Sequence, residues 1–275
     1  MDKKFWLEIM QDNYDIPEGH TLDELTKELF SYLGNTDPEL RDDIGYIVYA
    51  NWLEMGLYSQ ADIENHITKL LENLEKGIGE IETNSVFLRS FSVLFLAEII
   101  HNDNKAPQLH KEVIQEILRK GLAYLQSEKD PRGYAQGKGW VHALAHIADL
   151  LRVLSKNDHT SLNEHKQILT GIAKKLVAAS DWVYVHGEDD RLSAAVLSIL
   201  RRDMLPKSAI KGWIASFTSP NWKGAWTNEE STHAFFNVRN FLRSLYLQVA
   251  TEENLPNHDE LEKMFLDGIQ KLRPY

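Results

Sequence analysis

A chain of 275 residues, 43% of them hydrophobic, carries enough apolar material for one large packed domain or two small ones, and wholesale disorder is excluded. Its formal net charge of -11 argues against nucleic acid and anionic membrane surfaces as partners, because both need clustered positive charge. The absence of cysteine excludes disulfides, thiolate metal sites and cysteine nucleophiles. The opening MDKKFWLEIMQDN has no apolar run of signal-peptide length, and no segment approaches the roughly 20 apolar residues of a membrane span, so the expectation is a soluble cytoplasmic protein.

Residues 1–20 are expected to be a loose lead-in. Thr21 and Glu24 have capping-box spacing at the head of a leucine-periodic helix that Gly34 stops. Asp37-Pro38 opens a second helix that ends at Gly56, and residues 59–77 supply its partner. The run 84–103 is apolar nearly all round, which predicts a deeply buried helix. A polar break at 102–107 leads into a helix over 109–128. A helix-patterned run follows from Lys138 to about Leu154, partnered by 162–180. The linker DWVYVHGED, a helix over 190–203 and a helix opened by Pro206 come next. A Trp-rich connection and two final helices complete about eleven helices with no convincing strand.

Phe87-Leu88-Arg89-Ser90 reappears as Phe241-Leu242-Arg243-Ser244. Arg41, Arg89, Trp140, Arg191 and Arg243 step along the chain at roughly fifty residues, longer than the ~40–47 of HEAT or armadillo units. No Pro/Gly/Ser linker divides the chain. These features predict one all-α domain over 1–275, built of helical hairpins stacked as a HEAT-like α-solenoid, with a closed α/α toroid as the alternative.

The least generic stretch is DPRGYAQGKGWVHALAHIAD, residues 130–149. At about 100° per residue, Trp140, Leu144, Ile147, Leu151 and Leu154 fall on one side of a helix. Lys138, His142, His146 and Asp149 fall on the other, facing water or a cleft. Two histidines four apart can share a zinc-like divalent ion, with His186 as the candidate third ligand and Asp149 as a supporting partner. Arg132, Lys138, Arg191, Arg239 and Arg243 could converge as an anion site. Gly137 and Gly139 would then free amides at a helix N-terminus, and Glu188 and Asp189 would supply carboxylates. The competing reading pairs the repeated arginines with Asp42, Asp43, Asp189 and Asp190 in a structural ladder, since a buried arginine needs a carboxylate. Trp213, Trp222 and Trp226, with Phe217, Phe235 and Phe236, either form a ligand-binding edge or cover the end of the helical stack. No Ser/His/Asp elbow and no phosphate-binding glycine loop occurs.

The pattern Asp130-x-Arg132-Gly133, Gly137-x-Gly139-Trp140-x-His142-Ala143-x-Ala145-His146-x-Ala148-Asp149 resembles the signature of an uncharacterised bacterial family, domain of unknown function 2785. Gly187-Glu188-Asp189-x-Arg191-Leu192 and Phe241-Leu242-Arg243-Ser244-Leu245-Tyr246 are similar to its later motifs. The resemblance spans most of the chain after about residue 85. It implies an all-helical bacterial protein with no established activity.

The functional expectation is a binding module. A concave groove around 132–149 and 186–191 would take a protein, a peptide or a small molecule, through Arg132, Lys138, Trp140, His142, His146, Asp149, Arg191, Arg239 and Arg243. The alternative is a metal-dependent or acid/base hydrolase-type enzyme using His142 and His146, with Glu188 and Asp189 as further catalytic candidates.

Overall fold

Side-chain caps set where many of the helices begin. Thr21 accepts the Glu24 amide, and Ser59 with Asp62 and Ser161 with Glu164 close reciprocal capping boxes. Each satisfies amide donors that a first helical turn leaves without partners. The computed structural model describes residues 1–219 and 222–272. Among these the protein is all-helical, with twelve α-helices, a π-helical segment, one 3₁₀ turn and a minimal β-hairpin. The chain divides into two compact units, Met1–Leu150 and Leu151–Tyr275.

The first unit contains α1 (Lys3–Gln11), α2 (Leu22–Tyr32), the π-helical segment Glu39–Tyr46 running into α3 (Ile47–Glu54), α4 (Gln60–Asn73), α5 (Ser85–Asp103) and α6 (Lys111–Ser127). The hairpin of β1 (Tyr134–Ala135) and β2 (Gly139–Trp140) follows, then the first part of α7 (Ala143–Lys156). Near the chain start α1 is capped by Asp2, and fully buried Trp6 donates its indole N–H to the Tyr32 hydroxyl at 3.0 Å. Around α5 the core is aromatic. Tyr49 stacks on Phe95 at 4.6 Å, and Phe30 meets the same ring edge-on at 5.8 Å.

As its composition requires, α5 is largely buried. Among the described residues it is the one helix long and apolar enough to cross a membrane by length and composition, and 67% of that window is buried within the protein. Its buried polar residues are satisfied. Ser92 accepts from the Asn73 amide at 3.1 Å, and Arg89 and Ser90 bond as described below.

The second unit contains the rest of α7, α8 (Leu162–Val177), α9 (Glu188–Arg201), α10 (Lys207–Thr218), the 3₁₀ turn Trp222–Thr227, α11 (Glu229–Ala250) and α12 (His258–Lys271). Its long α11 packs against α8, α9 and α12, and α10 packs against α8 and α12. Trp213 packs edge-on against both Phe217 and Phe241, at 5.0 and 6.1 Å, in its core.

The FLRS repeat does not recur as a structural unit. Arg89 is fully buried and Leu88 half-buried, whereas Leu242 is fully buried and Arg243 exposed. The same four residues present different faces to their surroundings.

Candidate functional site

The segment between α6 and α7 is fixed by buried ions before it forms any surface. Glu128, at the end of α6, receives Arg89 through two bonds, from Nε at 2.6 Å and Nη2 at 3.1 Å. It also accepts the amides of Lys129 and Asp130, each at 2.9 Å. Asp130 repeats the arrangement. Its carboxylate takes Arg132 Nε at 2.8 Å and Nη2 at 2.6 Å, and the Glu82 amide at 3.0 Å. The Arg132 guanidinium is held above its ordinary range, first by that bond. Both carboxylates are buried, so these are ion pairs that hold backbone.

Tyr134 then pairs with Trp140, and Ala135 with Gly139, in an antiparallel hairpin closed by the Lys138 amide donating to the Ala135 carbonyl at 3.0 Å. Gly137 and Gly139 take φ of +73° and +78°, the left-handed backbone that glycine adopts without strain. A Cβ on Gly139 would lie 2.8 Å from Pro38 Cβ. Arg41 explains the close approach. Its side chain, 1% exposed, leaves the π-helical segment and donates to the carbonyls of Lys138 at 2.9 Å, Trp140 at 3.3 Å and Asn35 at 2.7 Å. The guanidinium lies over Phe87 and Phe91 at 4.2 and 4.6 Å and pairs with Asp42 at 2.7 Å. Burial dominates both partners: it lowers the Arg41 pKa and raises that of Asp42 to about 6. Lys138 Nζ reaches Asn84 at 2.8 Å. What this framework exposes is a pair of rings. Tyr134 and Trp140 are each 45% exposed and meet edge-to-face at 5.1 Å.

Beneath them lie the histidines. His142 has φ +49° and precedes the helix, and its amide and that of Val141 share the Gly133 carbonyl at 3.2 and 2.8 Å. Its ring stacks on Trp140 at 4.4 Å and meets His146 edge-on at 5.5 Å. His146 in turn packs edge-on against Phe91 at 5.0 Å. Ser90 donates its hydroxyl proton to the Val141 carbonyl at 2.5 Å, so the His146 Nδ1–Ser90 Oγ contact at 2.9 Å places the imidazole proton on Nδ1.

Two expectations are corrected here. The imidazoles are not on a solvated face, since His142 is 7% and His146 4% exposed. The helix starts at Ala143 rather than Lys138, and Ser90 and Phe91 of α5 cover the side opposite the leucines. Gly137 and Gly139 likewise do not free amides at a helix N-terminus, because they belong to the hairpin.

The other candidates sit apart in sequence and serve local ends. Asp149 is half-buried on α7. In the second unit Glu188 is buried and accepts the His186 amide at 2.7 Å, and Asp189 accepts the Ser244 hydroxyl at 2.6 Å. Arg191 and Arg239 are half-buried, and Arg239 lies over Phe236 at 4.6 Å. Among the described residues no three His, Asp or Glu side chains are grouped as metal ligands. Arg41 pairs with its sequence neighbour Asp42, Arg89 with Glu128 and Arg132 with Asp130. Of the aromatic set, Trp213 and Phe217 of α10 are buried; in the connection Trp222 is half-buried and donates to the Phe217 carbonyl at 2.8 Å, and Trp226 is 48% exposed. Pro220 and Asn221 of that connection lie outside the described residues.

The profile of a family described as "Protein of unknown function (DUF2785)" matches residues 74–247, more than half of the chain. The chain belongs to this family. The DUF2785 match takes in Arg89, Glu128, Asp130, the hairpin and both histidines, but leaves out the π-helical segment that carries Arg41. No curated protein and no solved structure matches the chain. Tyr134, Glu128 and Asn84 were not singled out by sequence reasoning. The alternation Tyr134-Ala135…Gly139-Trp140 about a glycine turn is a hairpin signal that could have found the first of them.

Proposed function

We propose that this DUF2785 protein is a binding module that holds a protein or peptide partner against Tyr134 and Trp140. The observation that carries the reading is an exposed aromatic pair on a hairpin whose backbone is clamped by Arg41 and by the ion pairs of Arg89 and Arg132. Large aromatic side chains dominate binding energy at interfaces, and a surface that is rigid beforehand loses little entropy on association. Lys138, in the turn of the same hairpin, would supply a polar contact. The hydrolase-type alternative has less support, because Ser90 already engages Nδ1 of His146 and both rings are covered.

The test compares the wild-type protein with a Tyr134→Ala/Trp140→Ala variant as bait in a lysate of the source cells. Both side chains are half in solvent, so stability should change by no more than about 1 kcal/mol. A captured partner should be lost by the variant and kept by a Trp226→Ala control. Equal capture by all three proteins would end the proposal.

A further inference from the structure

The second unit carries a surface feature independent of the hairpin, a groove of about 430 Å³ between α8 and α10. Its floor is apolar and firm. Leu169 and Ala173 are buried there with Trp213, whose indole N–H is fixed on the Leu169 carbonyl at 2.7 Å. Its charged residues are all of one sign. Lys166 and Lys174 line it, both exposed, and no acidic side chain does. Within the described residues neither lysine forms an ion pair, whereas Lys27, Lys105 and Lys207 each hold a carboxylate. In a chain of net charge -11, these two lysines give the apolar floor a positive rim along α8. The far wall is lowered by Gly212, in the middle of α10. A Cβ there would meet nothing within 4 Å, so packing does not demand the glycine although it weakens the helix. Its effect is to leave the groove open.

We propose that this groove docks an amphipathic helix of a partner protein, with apolar side chains toward Trp213 and two carboxylates toward Lys166 and Lys174. Eight residues of α8 separate the lysines, about 12 Å along the axis, so the partner's acidic residues sit about two turns apart. A groove between two helices with an apolar floor is a shape that helical peptides recognise, and the two cations set the charge that the partner must bring.

The experiment selects from a displayed library of 18-residue amphipathic peptides on the full-length chain and measures the enriched peptides by fluorescence anisotropy. Enriched peptides should carry acidic residues about two turns apart. Their binding should weaken at least tenfold in Lys166→Glu/Lys174→Glu and return in part when the peptide acids become lysine. Gly212→Trp should abolish binding by filling the groove, while Gly212→Ala, which only adds a methyl group, should keep most of it and raise the unfolding temperature. Thermal unfolding of each variant separates a blocked groove from a lost fold. Enrichment of neutral or basic peptides, or peptides that bind Gly212→Trp as well as wild type, would overturn the proposal. Displacement of bound peptide by dodecanoate at micromolar concentration would assign the groove to a small acyl carboxylate instead and equally overturn it.

Discussion

Gly137 and Gly139 share a left-handed backbone, yet only one of them is pressed against a neighbour. Gly137→Ala should cost about 1 kcal/mol, the conformational penalty alone. Gly139→Ala must also push Pro38 away from a 2.8 Å contact and should cost about 2–3 kcal/mol. Denaturant midpoints of the two variants would read that difference, and equal losses would mean that Pro38 gives way freely. Asp42 makes a second prediction. Folding raises its pKa from 3.8 to about 6, so the folded chain takes up a proton before the unfolded one. Its contribution therefore favours the folded state in acid and is lost as pH rises through that window. Asp42→Asn should flatten the dependence of stability on pH between about 4 and 6, and above about pH 6 it leaves Arg41 without its carboxylate. Unfolding midpoints across that range test it. The sequence marks residues 130–149 as unusual through their glycines and histidines. It does not reveal that the rings are covered, because residues 138–142 form hairpin and turn rather than helix and Ser90 and Phe91 of distant α5 pack against His146.

Burial of an arginine inside α5 is tolerable only because Glu128 reaches it with two oxygens. Arg89→Met should therefore destabilise the first unit by about 3–5 kcal/mol, since it strands a buried carboxylate that also holds the amides of Lys129 and Asp130. Adding Glu128→Gln to that variant should restore part of the loss, and a double-mutant cycle by chemical denaturation would measure the coupling. Element existence was largely legible. The all-round apolar run became the largely buried α5, and Thr21 became a cap. What stayed hidden was whatever depends on distant partners. Nothing near Arg89 in sequence points to Glu128, and nothing in the pattern of α1 discloses that Trp6 is received by Tyr32. The π-helical turn was equally invisible, since its wider winding aims Arg41 at a hairpin nearly a hundred residues away.

Acid should weaken both units through one histidine each. Burial lowers the pKa of His66 in the first and His165 in the second. His165 donates from Nε2 to the Ser155 carbonyl at 3.0 Å, and its buried Nδ1 has no hydrogen-bond partner to receive a second proton. The unfolded chain binds that proton near 6.5 and the folded chain only at lower pH. Stability from these rings is thus complete above about 6.5 and falls as pH drops through the lowered values. In the first unit Asp42 works in the opposite direction. His165→Gln, which keeps a donor near Ser155, should remove part of the fall in melting temperature between pH 7 and 5, and an unchanged profile would refute this account.

The π-helical segment has a practical bearing on how the family is delimited. Excising 74–247 as a self-contained piece would discard Arg41, and with it three bonds to main-chain carbonyls and the cation resting on Phe87 and Phe91. It would also sever α11 near its end. The borders of shared ancestry and the borders of mechanical integrity differ in this chain. An excised fragment should show rapid amide exchange at Lys138 through Trp140 where the intact protein is protected, even if its remaining helices assemble.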